Sequence, residues 1–157
     1  MRKEFDNFQT LKIYYLKASW GASHPELLTK CEGIFQGKLG PINPTVDENY
    51  DFIFSLFEEI VEVFPDQYIH LGGDEVGFEC WQSNQDILKY MTQFNITSFV
   101  QLEEFYIQKL IDKISLLKKN SIVWQEVYTN GVRLPDGTVV HVWTGDSRKL
   151  LSKVNKQ

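Results

Sequence analysis

The chain has 157 residues, 43% of them hydrophobic and 14% aromatic, with a net charge of −5. That length and apolar content fit one domain around one core, and the aromatic content excludes a disordered chain. The acidic balance argues against nucleic acid or any other anionic partner. No apolar run reaches the ~18 residues that span a bilayer, and the opening MRKEFDNFQT has no apolar segment of a signal peptide.

Residues 1–18 give little signal. The run TLKIYYL at 10–16 has strand composition without clear flanks. Residues 19–33, SWGASHPELLTKCEG, read as a loop with a short helical turn. The clearest helix covers 45–64. Thr45 and Glu48 form a capping-box pair after Pro44. Val46, Tyr50, Ile53, Phe57, Ile60 and Phe64 then recur on one helical face, and Pro65 stops the run. QYIHL at 67–71 reads as a short strand cut off by Gly72 and Gly73.

A second helix is expected from about Asn84 to Phe94, and a third from Ser98 to Lys119. Ser98 and Gln101 make another capping box, and Phe99, Leu102, Tyr106, Leu110, Ile114 and Leu117 form the buried stripe. Lys118 and Lys119 fall where the helix dipole favours cations. SIVWQEV at 121–127 reads as a buried strand. A loop with Asn130-Gly131 and Asp136-Gly137 follows, then the strand TVVHVW at 138–143 and a polar tail.

Strands separated by helices predict an α/β fold with a parallel sheet covered by helices. The last two strands lie too close in sequence for a full crossover helix, so a barrel built from them is irregular. A complete (β/α)8 barrel takes ~250 residues. Three good strands and one doubtful one amount to about half of it. A complete small doubly wound domain is the alternative.

The chemistry-bearing stretch is YIHLGGDEV at 68–76. A strand ends, two glycines permit a sharp turn, and Asp74 and Glu75 follow. Parallel α/β folds carry their sites at the C-terminal ends of strands. Adjacent acids there face different sides of the turn and can touch different parts of a substrate. On its own the string also fits a plain turn. Most of the aromatic residues belong to the core, but rings near strand ends can also make a platform for the CH faces of a sugar.

The wider pattern resembles glycoside hydrolase family 20, the β-N-acetylhexosaminidases. It is carried by HLGGDEV at 70–76, CWQSN at 80–84, FYIQKL at 105–110, IVWQEV at 122–127 and VVHVW at 139–143, with SWG, LLTKC and GPINP upstream. The resemblance covers residues 19 to about 145. It implies a partial (β/α)8 barrel from residue 19 to 157 behind a divergent segment 1–18. It also implies retaining removal of terminal N-acetylglucosamine or N-acetylgalactosamine from glycans, with the substrate's 2-acetamido oxygen as nucleophile. Glu75 then matches the general acid and base, which must be protonated to act, as burial or the charge of Asp74 would favour. Asp74 matches the residue that orients the acetamido group. Trp124 and Trp143 match the tryptophans that wall the sugar pocket; from the residues alone, core packing is the simpler reading. His70 is expected to support the site from the same strand, and Glu126 to have little part in it.

The family pairs its cysteines at the places of Cys31 and Cys80, so the resemblance implies a disulfide; two free thiols are the reading for a cytosolic chain. Asn95-Ile96-Thr97 is a glycosylation sequon between two helices. Sequon and cysteines together point to a lysosomal or secreted protein. His24, His70 and His141 have no metal-ligand spacing and no phosphate loop is present, so no cofactor is expected.

Just before SWG the family has Asp-x-Pro-Gly-His, where this chain has Lys12, Ile13, Tyr14, Tyr15 and Leu16. The arginine that grips the sugar, a tyrosine, a later aspartate and a Trp-Gly-Glu segment have no counterpart either. The expectation is a truncated product with little activity by itself, the full-length form being a homo- or heterodimer. The competing reading is an inactive sugar-binding or subunit-interaction module.

Overall fold

The computed structural model describes residues 23–145 and residue 148. The strand expected at 10–16, the divergent segment and the polar tail lie outside these residues. Among the described residues the strands are β1 (Leu28–Lys30), β2 (Leu39–Ile42), β3 (Tyr68–His70), β4 (Asn120–Trp124) and β5 (Val139–His141). The α-helices are α1 (Asp47–Val63), α2 (Glu79–Ser83), α3 (Gln85–Gln93), α4 (Phe99–Leu116) and α5 (Gln125–Thr129).

β3, β4 and β5 form one parallel sheet in sequence order. Ile69 pairs with Ser121, His70 with Ile122, and Trp124 with His141. Side chains alternate along a strand, so this register puts Ile69, Ser121, Val123 and Val140 on one face. That face packs under α1 and α4 in a core with Tyr50, Ile53, Phe57, Ile107, Leu110 and Ile114. The opposite face carries His70, Ile122, Trp124 and His141.

The helix termini show where local pattern and structure part. Asn84 caps α3 as expected, its Oδ1 accepting from the backbone N–H groups of Asp86 and Ile87. Ser98 Oγ accepts from Gln101 N–H at the start of α4, but the Gln101 carboxamide reaches back to Thr97 instead of Ser98. The Thr45–Glu48 box does not form. Asn43 Oδ1 takes both the backbone N–H and the hydroxyl of Thr45, and α1 starts two residues later with no side-chain cap. Lys118 leaves α4 with φ of +56°. The Lys119 ammonium donates to the carbonyls of Pro65 and Asp66, beyond the end of α1.

The segment read as one strand through Val127 is β4 followed by the short helix α5. The stretch at 19–33 read as a loop holds β1, which runs antiparallel to β2 just beyond it as a hairpin with an irregular register. Buried polar side chains fasten this hairpin. Asn49 Nδ2 donates to Leu27 O and Asn43 O at 3.0 and 2.9 Å. Asn84 Nδ2 donates to Lys30 O at 2.9 Å, and the indole of buried Trp81 to Ile42 O at 3.3 Å. Cys31 and Cys80 are joined by a disulfide from the hairpin to α2. Gly40 makes room for it: a Cβ there would lie 2.3 Å from Cys80 Cβ.

Candidate active site

β3 delivers its chain into a turn that only glycine enters freely. Gly72 and Gly73 have φ of +80° and +94°, the left-handed region where a Cβ is strained. Glu75 follows with φ of +46°. This alternation separates the two acids: Asp74 is buried and Glu75 exposed. The enclosure expected around a general acid is therefore not built around Glu75 by the described residues.

Gly73 is also a close-packing position. A Cβ on it would sit 2.2 Å from Val127 Cγ2 in α5. Gly73→Ala is expected to cost about 2–4 kcal/mol from backbone strain and overpacking, read as a fall in the urea midpoint.

His70 lies directly under the turn. Its Nδ1 accepts the N–H of Gly72 at 3.0 Å, which fixes the neutral tautomer with the proton on Nε2. Its ring lies 4.7 Å from Trp124 and 5.7 Å from His141, and those two rings are 4.1 Å apart. Burial and then His141 push the His70 imidazole down to about 4, with Asp74 pulling upward. The unfolded imidazole takes up its proton near its ordinary value of about 6.5. Between there and about 4 the unfolded chain binds the extra proton, so stability is full above pH 6.5 and declines as pH falls. The loss by pH 4 is on the order of 1–2 kcal/mol once solvent screening at a partly exposed ring is allowed for. In His70→Asn, unfolding free energies measured at pH 7 and pH 4.5 should differ less than in the unaltered chain.

The two tryptophans stand at adjacent strand ends. Trp124 closes β4, and its indole N–H is buried without a hydrogen-bond partner among the described residues. Trp143 lies two residues beyond β5, half exposed. Their rings are 6.4 Å apart at 69°, a right-angled corner. The first residues of α5 hold this corner. Gln125 Oε1 accepts the backbone N–H groups of Trp143 and Thr144, each at 3.2 Å. The Trp143 indole donates to both carboxylate oxygens of Glu126, at 2.9 and 3.1 Å.

Glu126, given little weight from sequence, is thus the anchor of the outer tryptophan. Losing a hydrogen bond to a charged acceptor costs about 1.5 kcal/mol where it is partly solvated. Glu126→Ala should therefore release the half-exposed Trp143 ring, seen as a red-shifted and more readily acrylamide-quenched tryptophan emission, and Glu126→Gln, which keeps an acceptor, should restore most of the original signal.

Sequence reasoning missed Glu103. It lies three residues before Tyr106 on the buried stripe of α4, a charge on an apolar face, and that was its signal. Its side chain is 2% exposed and accepts from Asn130 Nδ2 at 2.8 Å just past α5. Burial pushes its carboxyl above the ordinary range, opposed by the Asn130 bond and reinforced by Glu126. Glu103 ties α4 to the end of the helix whose start holds Trp143.

This arrangement has known relatives. The model of glycosyl hydrolase family 20, catalytic domain, matches residues 17–157. The chain belongs to glycosyl hydrolase family 20. It is 53% identical over 129 residues to human beta-hexosaminidase subunit beta, a match covering 80% of this chain and 23% of that subunit. It is 49% identical over 127 residues to mouse beta-hexosaminidase subunit alpha, covering 80% of this chain and 24% of that one. The chain thus spans about a quarter of the length of the curated relatives it matches.

Among solved structures, the family 20 exo-β-N-acetylglucosaminidase of Vibrio harveyi, determined with N-acetylglucosamine, superposes with a TM-score of 0.71 at 27% identity. The match covers 87% of this chain and 22% of that one. The chitobiase of Flavobacterium johnsoniae gives 0.73 at 24% identity over 89% of this chain and 23% of that one, a likeness of fold. The fold is part of a (β/α)8 barrel, as the family resemblance implied. The sheet face bearing His70, Trp124 and His141 lies opposite the packed helices, the side that faces inward in such a barrel.

Proposed function

We propose that this chain carries the acid pair of a β-N-acetylhexosaminidase that removes terminal N-acetyl-D-hexosamine from glycans or glycoconjugates with retention of configuration. The observation that carries this reading is the Gly72–Gly73 turn. It sets a buried Asp74 and an exposed Glu75 side by side at the end of a parallel strand, beside a strand end bearing Trp124.

Glu75 gives its proton to the glycosidic oxygen as the C1–O bond breaks. The 2-acetamido oxygen of the substrate closes on C1 to form an oxazolinium ion. The Asp74 carboxylate orients the acetamido N–H and offsets the positive charge that develops on it. Glu75, now ionised, takes a proton from a water that attacks C1 and reopens the ring. Trp124 and Trp143 pack against the sugar. His70 holds the turn from below through Gly72, and the reaction needs no cofactor. The disulfide and the sequon support a lysosomal or secreted location. The relatives' names as subunits support a homo- or heterodimer of the whole protein.

The test uses the longest natural form of the protein, with 4-nitrophenyl N-acetyl-β-D-glucosaminide and 4-nitrophenyl β-D-glucoside as paired substrates. Only the first carries the internal nucleophile, so only the first should be hydrolysed, with the β-anomer released first by NMR. Equal rates on both, or an α-anomer, would overturn the assignment.

A further inference from the structure

The sequon Asn95-Ile96-Thr97 has no part in the reaction above, and its surroundings are those of a modified residue. The chain has no second usable sequon, because Asn43-Pro44-Thr45 is blocked by proline at its middle position. Asn95 closes the turn between α3 and α4 with φ of +55°, a conformation asparagine tolerates better than most residues, and it is exposed. Beside it lies an open hollow of about 480 Å³ lined by Asn95, Ile96, Gln101, Phe105 and Arg133 among others. Ile96 and the Phe105 ring give this hollow an apolar side. Gln101 and Arg133 give it a polar side. That combination suits an N-acetylhexosamine, which has one CH-rich face and an acetamido group. The Cys31–Cys80 disulfide is an independent observation that places the chain in an oxidising compartment, where the modifying machinery resides.

The geometry points to an N-linked glycan on Asn95, with its first N-acetylglucosamine lying in the Ile96–Phe105–Arg133 hollow. The donor is a lipid-diphosphate-linked oligosaccharide. The Asn95 amide nitrogen forms a bond to the anomeric carbon, and the bond from that carbon to the diphosphate oxygen breaks. The lipid diphosphate leaves with the electron pair, and the transferase takes the amide proton. In the folded chain the Thr97 hydroxyl is engaged with Gln101 Oε1 at 2.9 Å, so transfer precedes closure of this turn.

The experiment expresses the protein behind a secretory leader in eukaryotic cells. Tandem mass spectrometry then reads the peptide containing Asn95 before and after peptide N-glycanase. The expected result is one glycan on Asn95, converted to Asp by the enzyme. Asn95→Gln and Thr97→Ala should lose it, and Thr97→Ser should keep it. An unmodified Asn95 in disulfide-bonded secreted protein would overturn the proposal. The seating is tested on the glycoprotein trimmed to its first sugar. That form should keep the Tm of the intact glycoprotein, and the protein freed of all sugar by peptide N-glycanase, whose aspartate at that position also tolerates the positive φ, should melt about 2–4 °C lower. If the sugar-free form melts with the trimmed form, the hollow is not the seat.

Discussion

Glu75→Gln in the longest natural form should lower kcat/KM on an N-acetylglucosamine disaccharide by about 10³-fold, equivalent to about 4 kcal/mol of barrier. Glutamine keeps the size and the hydrogen-bonding atoms of the side chain but has no proton to give. The loss should depend on what leaves. A 4-nitrophenol oxygen departs as a stable anion with little help, so the aryl substrate should lose less than the disaccharide, whose alkoxide cannot leave unprotonated. That gradient separates loss of an acid from general damage to the fold, which would lower both rates alike. A Glu75→Gln protein with near-normal activity on the disaccharide would remove Glu75 from the mechanism. Because Glu75 is exposed and Asp74 is not, the substitution should leave stability almost unchanged.

The second large effect is on stability. Cys31 and Cys80 are 49 residues apart, and the chain-entropy cost of closing such a loop in the unfolded state is about 4 kcal/mol. Cys31→Ala/Cys80→Ala should lose a stability of that order, seen as a lower urea midpoint. Reduction of the unaltered protein should reproduce it, and the reductant should leave the double variant unaffected. Gly40→Ala gives an independent check. Its methyl would lie 2.6 Å from Cys80 Sγ, so either the hairpin or the bridge must shift, and the midpoint should fall with both cysteines present. Equal midpoints for the oxidised protein and the double variant would show that the bridge adds nothing.

The elements legible in the sequence are those whose signal is local. The stripe of α4 and the caps of Asn84 and Ser98 need only neighbours three or four residues away. The strands β3, β4 and β5 are short apolar runs ended by glycine or polar residues. The hairpin was not legible. Its strands have three and four residues, β2 contains Gly40 and Pro41, and the register slips. It is held by Asn84, Trp81 and Cys80, all distant in sequence, and by Asn49, which reaches back to Leu27. Helix α5 was misread because Trp124, Glu126 and the buried Val127 look like the end of a strand. What places Val127 is its fit over Gly73, a tertiary contact. Asp74 and Glu75 were visible through their glycines and strand. Their different exposure and the grip of Glu126 on Trp143 depend on backbone angles and on a partner 17 residues away, which no local pattern encodes.

The alternation along β4 has a consequence for how the chain can change. Val123 fills the core on one face while Trp124, the next residue, serves the corner on the other. Inserting or deleting one residue in β4 would exchange the two, burying the indole under the helices and presenting a valine at the corner beside Trp143. The packed core and the tryptophan corner are written in the same reading frame of this strand. Selection that preserves the core therefore protects the site against slippage, and variation that tunes the site must come by substitution, not by a change in strand length.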